Sequence, residues 1–189
     1  MSFAPPAPAF ESVALVEIEA ISKGYVALDA VVKQAAVHVR FAKAVTPGKF
    51  VMLFGGDVAS VMEGLEAARE VAQSLLVDEL FLAQAHPGLL PAIDQRAAPA
   101  HGEAVGVVET TTISSCVLAA DAALKMSDVA VLKMHLALNI GGKGYFTLAG
   151  PLADVEAALD GARDVVGPER LVGVELIPRP HAEVRGYFT

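Results

Sequence analysis

The chain predicts an α+β protein made of two tandem ferredoxin-like units, each ordered β-α-β-β-α-β. Three observations carry this. The sequence contains itself twice: Glu17, Asp29 and Lys33 recur at one offset as Glu109, Asp121 and Lys125. After a two-residue slip, Gly48-Lys49 recurs as Gly142-Lys143, Gly56 as Gly150 and Val61 as Val155. Within each copy, apolar spacing passes from strand-like to helical and back in the same order. A repeat of roughly 90 residues is too long for a solenoid unit and suits a small domain.

Each element has its own justification. Residues 13–19 form a short β-rich run. Ser22 is placed to cap a helix carrying Tyr25, Leu28, Val31, Val32 and Ala35 at helical spacing. The second copy offers Val117, Ala120, Ala123 and Leu124 for the same face. Val37, Val39 and Phe41 alternate with His38, Arg40 and Ala42, as a half-buried strand does. Leu132, Met134, Leu136 and Leu138 alternate in the same way with Lys133, His135 and Ala137. Thr46-Pro47-Gly48 and Ile140-Gly141-Gly142 mark turns, and residues 49–54 and 143–149 are the returning strands.

Asp57 caps the next helix, which sets Val58, Val61, Met62, Leu65 and Ala68 on one face. Its repeat has Gly150 at the cap and Pro151 in the first turn, followed by Leu152, Val155, Leu159 and Ala162. Residues 76–83 and 171–177 close the two units. The expected organisation is a disordered Pro/Ala-rich tail over 1–12, a first domain over 13–96, a linker over 97–103 and a second domain over 104–189.

Composition narrows the function. Hydrophobic residues make up 54% and the mean hydropathy is +0.51, high for a free monomer. No run reaches the ~18 uncharged apolar residues of a spanning helix, so the surplus is expected against other subunits rather than in a membrane. A net charge of -8 argues against nucleic acid, which needs a basic face. One cysteine excludes an intrachain disulfide and fits a reducing cytosol. The first residues lack the basic and apolar regions of a signal peptide.

The second copy reads Ala104-Val105-Gly106-Val107-Val108-Glu109-Thr110, then Ala119-Ala120-Asp121-Ala122-Ala123-Leu124-Lys125, Gly141-Gly142-Lys143-Gly144 and Ile177-Pro178-Arg179-Pro180-His181. Together these resemble the bacterial microcompartment shell domain, and the first copy is a more drifted version of it. The order of elements is similar to the unpermuted, tandem-domain class of trimeric shell proteins found in propanediol-type compartments. The resemblance implies a cytoplasmic homotrimer forming a flat pseudohexamer with a central pore. Such a tile assembles with hexameric and pentameric shell proteins around encapsulated enzymes.

The resemblance also implies residue roles. Lys33 and Lys125 end the first helix of each copy and would meet their counterparts across the joint between tiles. There the aliphatic stem covers apolar surface while the ammonium reaches backbone carbonyls. The plain reading is a solvated lysine complementing the helix C-terminus. Arg179, Pro180 and His181 match the family's edge motif, in which a planar guanidinium is presented by a stiff backbone. The first copy has Gln84-Ala85-His86 instead, so the edges are expected to be inequivalent.

Pro47, Gly48, Lys49 and Phe50, with Gly141, Gly142, Lys143 and Gly144, align with the family's pore loops. Glycines let backbone amides face a narrow opening, where they attract anions or polar groups. Some relatives of this type carry cysteine at the position of Gly144, and three axial thiolates hold an iron–sulfur cluster. Gly144 offers no thiolate, so no cofactor is expected. Cys116 reads as a buried structural residue.

No catalytic or metal-ligating set is visible, and there is no P-loop or dinucleotide fingerprint. Glu17 and Glu109 recur at strand positions, which favours structural hydrogen bonding over acid–base work. The histidines show no ligand spacing. The expected function is a shell tile passing small metabolites. The alternative from another class is a small-molecule-binding or regulatory protein, because duplicated ferredoxin-like units also bind ligands at clefts.

Overall fold

The structure is a computed structural model that describes residues 10–96 and 102–189. The expected tail over 1–12 lies largely outside the described residues, as does the linker from 97 to 101. The described chain forms two compact units. One comprises residues 10–44 and 48–85; the other comprises 86–96 and 102–189 together with Val45–Pro47.

The first unit's elements run β1 (Ser12–Ile18), α1 (Ile21–Gln34), β2 (His38–Val45), β3 (Lys49–Gly56), α2 (Val58–Ala72) and β4 (Leu76–Leu82). A 3-10 turn over Gln73–Leu75 leads into β4. The strands form an antiparallel sheet ordered β2-β3-β1-β4, in which Ser12 pairs with Gly56 and Ile18 with Phe50. Successive strand side chains point to opposite faces. Ala14, Val16 and Ile18 therefore join Phe50, Met52 and Phe54 in one core with Ala27 and Val31 of α1 and Val61, Leu65, Ala68 and Ala72 of α2. Burying Phe54 alone removes apolar surface worth about 1.5–3 kcal/mol.

In the second unit, a short helix α3 (Leu89–Ile93) precedes β5 (Ala104–Thr110), α4 (Ile113–Met126), β6 (Ala130–Leu136), β7 (Gly144–Gly150), α5 (Leu152–Val165) and β8 (Leu171–Pro178). The sheet order β6-β7-β5-β8 repeats the first, and so does the register: Ala104 pairs with Gly150 and Thr110 with Gly144. Even the irregularity recurs. The register of the closing strand shifts between Glu17 and Ile18 in one copy and between Glu109 and Thr110 in the other. A 3-10 segment over Ala182–Tyr187 ends the chain.

Several details depart from the sequence reading, and Met62 of α2 and Val39 of β2, expected on buried faces, are 53% and 38% exposed. Helix α1 starts one residue before Ser22, with Ala20 as its N-cap and no side-chain cap bond. Its buried face is Gly24, Ala27 and Val31, while Tyr25 and Val32 are exposed. Pro151 is the N-cap of α5 rather than its first helical residue. Leu138 lies beyond β6 and is exposed, because the chain turns at Ala137. Asp57 caps α2 as expected: its Oδ1 accepts from Ser60 N at 2.9 Å and its Oδ2 from the Ser60 hydroxyl at 2.7 Å. These bonds hold the Asp57 carboxyl below the usual carboxylate range.

Candidate functional site

The two loops singled out by the sequence sit at equivalent places, between the second and third strands of each copy. The first is short, Thr46 to Gly48, with a cis Thr46–Pro47 peptide and Gly48 at φ +133°. The second, Ala137 to Lys143, is longer and contains left-handed backbone at Ala137, Asn139, Gly141 and Gly142. A Cβ at Gly48 or Gly141 would meet nothing within 4 Å. Their glycines therefore answer to backbone conformation and not to crowding. Pro47, Gly48 and Gly141 are exposed, and Gly142 is buried. Lys143 N donates to Ile140 O at 3.3 Å, and Ala137 N donates to Lys143 O at 2.9 Å, which closes the second loop on itself.

Each loop ends in a lysine that is paired. Lys49 Nζ lies 2.5 Å from Glu17 Oε2, and Lys143 Nζ lies 2.8 Å from Glu109 Oε1. Glu17 is fully buried, while Glu109 is half-buried. The strand pairing creates both contacts, because Glu17 and Glu109 stand on the central strands beside the start of the returning strands. Sequence reasoning placed the lysines in the loops and the glutamates in structural roles without joining them. The signal was present, since both members recur in both copies.

Behind the loops, the copies solve one packing problem with opposite residues. Phe50 is fully buried, and its ring contacts Tyr25 with centroids 4.8 Å apart. A Cβ on Gly24 would fall 2.2 Å from the Phe50 ring, so only glycine fits there without movement. At the equivalent place in the second copy, Gly144 faces the helix residue Cys116, and a Cβ on Gly144 would fall 2.5 Å from Cys116 Cβ and 3.0 Å from its Sγ. The small residue is on the helix in one copy and on the strand in the other. Neither the Phe50 ring nor Cys116, fully buried in α4, offers its side chain to solvent.

Lys33 and Lys125 end α1 and α4, each paired with the aspartate one turn earlier. Lys33 Nζ is 2.6 Å from Asp29 Oδ2, and Lys125 Nζ is 2.5 Å from Asp121 Oδ2. Asp121 has a further partner, since its Oδ1 accepts from His86 N at 2.7 Å. Arg179 is exposed in left-handed backbone, with its N donating to Glu103 O at 2.8 Å. Pro180 is buried, and exposed His181 caps the terminal 3-10 segment.

A surface groove of about 300 Å³ runs between α1 and α2, lined by Lys33, Gln34, Glu63, Glu66 and Glu70 among others. Among the described residues, no group of three or more His, Cys, Asp or Glu is placed to hold a metal ion, and no helix is long and apolar enough to cross a membrane. The iron–sulfur ligand set of some relatives does not fit these residues: Gly144 has no donor atom, and Cys116 is enclosed in the core.

Two copies of one α+β unit, with duplicated loops and duplicated helix-end lysines, define a tandem-domain protein. The chain belongs to the BMC domain family, whose model matches residues 12–85 and again 104–180. It is 38% identical over 172 residues to the bacterial microcompartment shell protein PduT of Citrobacter freundii, covering 90% of this chain and 94% of that protein. The crystal structure of a microcompartment protein from Desulfitobacterium hafniense superposes with a TM-score of 0.84 at 35% identity, covering 94% of this chain and 99% of the other. A fused permuted hexameric shell protein of the RMM microcompartment matches with a TM-score of 0.64 over 85% of this chain and 83% of its own. At 21% identity that likeness speaks for the fold alone. The chain is a tandem-domain microcompartment shell protein, and its role is structural rather than catalytic.

Proposed function

We propose that three copies of this chain form a pseudohexameric tile of a cytoplasmic microcompartment shell, with a central pore for small metabolites and edges that join hexameric and pentameric shell proteins. The observation that carries this reading is the repetition of the glycine-bearing loop and its Lys–Glu pair in matching register in both copies. Three chains supply six such loops, and a ring of duplicated domains places them around one axis.

In this reading Pro47, Gly48, Lys49, Gly141, Gly142 and Lys143 line the opening through their backbones, with Phe50 and Gly144 supporting them from behind. The lysine charges are offset by Glu17 and Glu109. Selection then rests on size and on backbone dipoles, within the field of chains that carry -8 each. Lys33, Lys125, Arg179, Pro180 and His181 form the edges. The axis holds no iron–sulfur cluster, because Gly144 supplies no thiolate.

Native mass spectrometry of anaerobically purified protein tests the whole reading. A mass three times 19.6 kDa without added iron or sulfide supports it. A monomer or dimer that binds a small molecule saturably would favour the ligand-binding alternative, and a trimer with an iron–sulfur increment would reverse the inference from Gly144.

A further inference from the structure

The two copies end in the same turn, and only one of these turns is docked. After β4, His86 O accepts from Leu89 N at 2.9 Å, and His86 Nδ1 accepts from Gly88 N at 3.1 Å. After β8, His181 O accepts from Val184 N at 3.1 Å, and His181 Nδ1 accepts from Glu183 N at 3.4 Å. The repeat aligns His86 with His181, Gly88 with Glu183, Leu89 with Val184 and Ala92 with Tyr187.

Within the second unit the His86 turn is seated on α4 and β6. His86 N reaches Asp121, and Leu89 and Ala92 are 0% and 1% exposed. A Cβ on Gly88 would stand 3.7 Å from Leu124 Cδ1. The C-terminal turn carries the same pattern outward: Val184 is 41% exposed and Tyr187 81%. Its far end is held by Thr147 Oγ1, which donates to Phe188 O at 2.6 Å, and by Lys133 Nζ, which donates to Thr189 O at 3.3 Å.

The receiving face is duplicated too. The repeat aligns Asp121 with Asp29 and Leu124 with Val32. The Asp121 side chain is 4% exposed and that of Asp29 is 59%. Leu124 is 7% exposed and Val32 47%, with Tyr25 and Val26 also open on α1. The chain thus has one turn seated on one face, and one equivalent turn and one equivalent face that are both open.

We propose that the C-terminal turn of one chain seats on α1 of a second copy, with His181 N donating to Asp29 and Val184 and Tyr187 covering Val32. The turn and the face are different surfaces, so the contact is head-to-tail, and a threefold rotation between successive chains closes it into a ring. This inference rests on the trimeric reading and names the joint that makes it. It also gives Lys33 the surroundings that Lys125 already has, with the paired aspartate fixed by a histidine-turn amide on its other oxygen.

The test is the full chain carrying Val32→Cys and Glu183→Cys, oxidised with copper phenanthroline in air, which joins two thiols held together in the joint as a disulfide without a reagent having to fit between them. Both positions are exposed in the single chain, and Cys116 is buried. The expected result is a covalent ladder ending at three chains on a denaturing gel, with each single variant staying at one chain. Native mass spectrometry of the wild-type chain and of the untreated variant reads assembly independently. A trimer that gives no ladder overturns the docking and leaves the trimer standing. A wild-type chain that is monomeric overturns the trimeric reading itself. As a second measurement, Asp29→Lys is expected to raise the concentration at which the trimer dissociates by about tenfold or more. An unchanged dissociation profile overturns the docking.

Discussion

Lys49 and Glu17 form an ion pair closed off from water, whereas their repeat, Lys143 with Glu109, is open to it. The same chemistry therefore has two energetic meanings in one chain. Lys49→Met leaves the Glu17 carboxylate buried beside an apolar side chain, and breaking a buried pair from one side costs about 3–5 kcal/mol. Lys143→Met breaks an exposed pair, for which about 0–1 kcal/mol is expected. Urea denaturation at one fixed protein concentration compares the two. Equal losses would show that burial does not set the difference.

Gly24 against Phe50 and Cys116 against Gly144 are mirror solutions to one packing constraint. Gly144→Ala forces a Cβ against Cys116 Cβ, an overpacking with an expected cost of about 1–3 kcal/mol. Adding Cys116→Gly relieves the contact, so the double variant should be more stable than the sum of the single effects predicts. A thermodynamic double-mutant cycle reads that coupling. Additive effects would mean that the two residues do not constrain each other.

The repeat made most of the fold legible, because the same order of strands and helices could be read in both copies. The regular elements follow apolar spacing, and their order needed nothing else. Three things were hidden. Helix α3 is only five residues long and contains Pro91, so it carried no periodic signal. The exposure of Tyr25 and Val32 depends on what covers α1, and apolar identity does not report the cover. The Lys–Glu pairs became visible only once strand register set the central strand beside the returning one. The site residues were nameable one by one, and the i,i+4 spacing of Asp29 with Lys33 and Asp121 with Lys125 was there to be read, whereas the bond from His86 to Asp121 depends on tertiary contact.

Asp57 gives the chain a titratable helix cap. Its carboxyl is held below the usual range mainly by the Ser60 amide and hydroxyl. A folded-state pKa below the unfolded value contributes stability that is present above the unfolded pKa and is lost as pH falls through the folded one. Asn caps a helix without titrating in that range. Wild type should therefore exceed Asp57→Asn in melting temperature near neutral pH, with the gap closing as pH drops below about 4. A gap that is constant with pH would mean that the carboxylate charge does not contribute to the cap.

The edge residues make the last prediction. Lys33 and Lys125 stand at helix C-termini, where a cation is favoured, and each is already steadied by the aspartate one turn back. Removing the Lys33 ammonium costs the isolated chain little, because an exposed i,i+4 pair contributes only about 0.3–0.5 kcal/mol, whereas removing the Lys125 ammonium costs more, because its partner Asp121 is buried. Removing an edge contact costs the sheet much more, because the loss repeats at every joint between tiles. Lys33→Ala together with Lys125→Ala should leave oligomer mass near wild type, with a melting temperature lowered mainly by the loss at Lys125, while abolishing extended sheets in negative-stain electron microscopy. The single variants should differ, since Asp121 is fixed by His86 and leaves Lys125 better oriented than Lys33 in the free chain. Sheets that form unchanged from the double variant would remove both lysines from the edge.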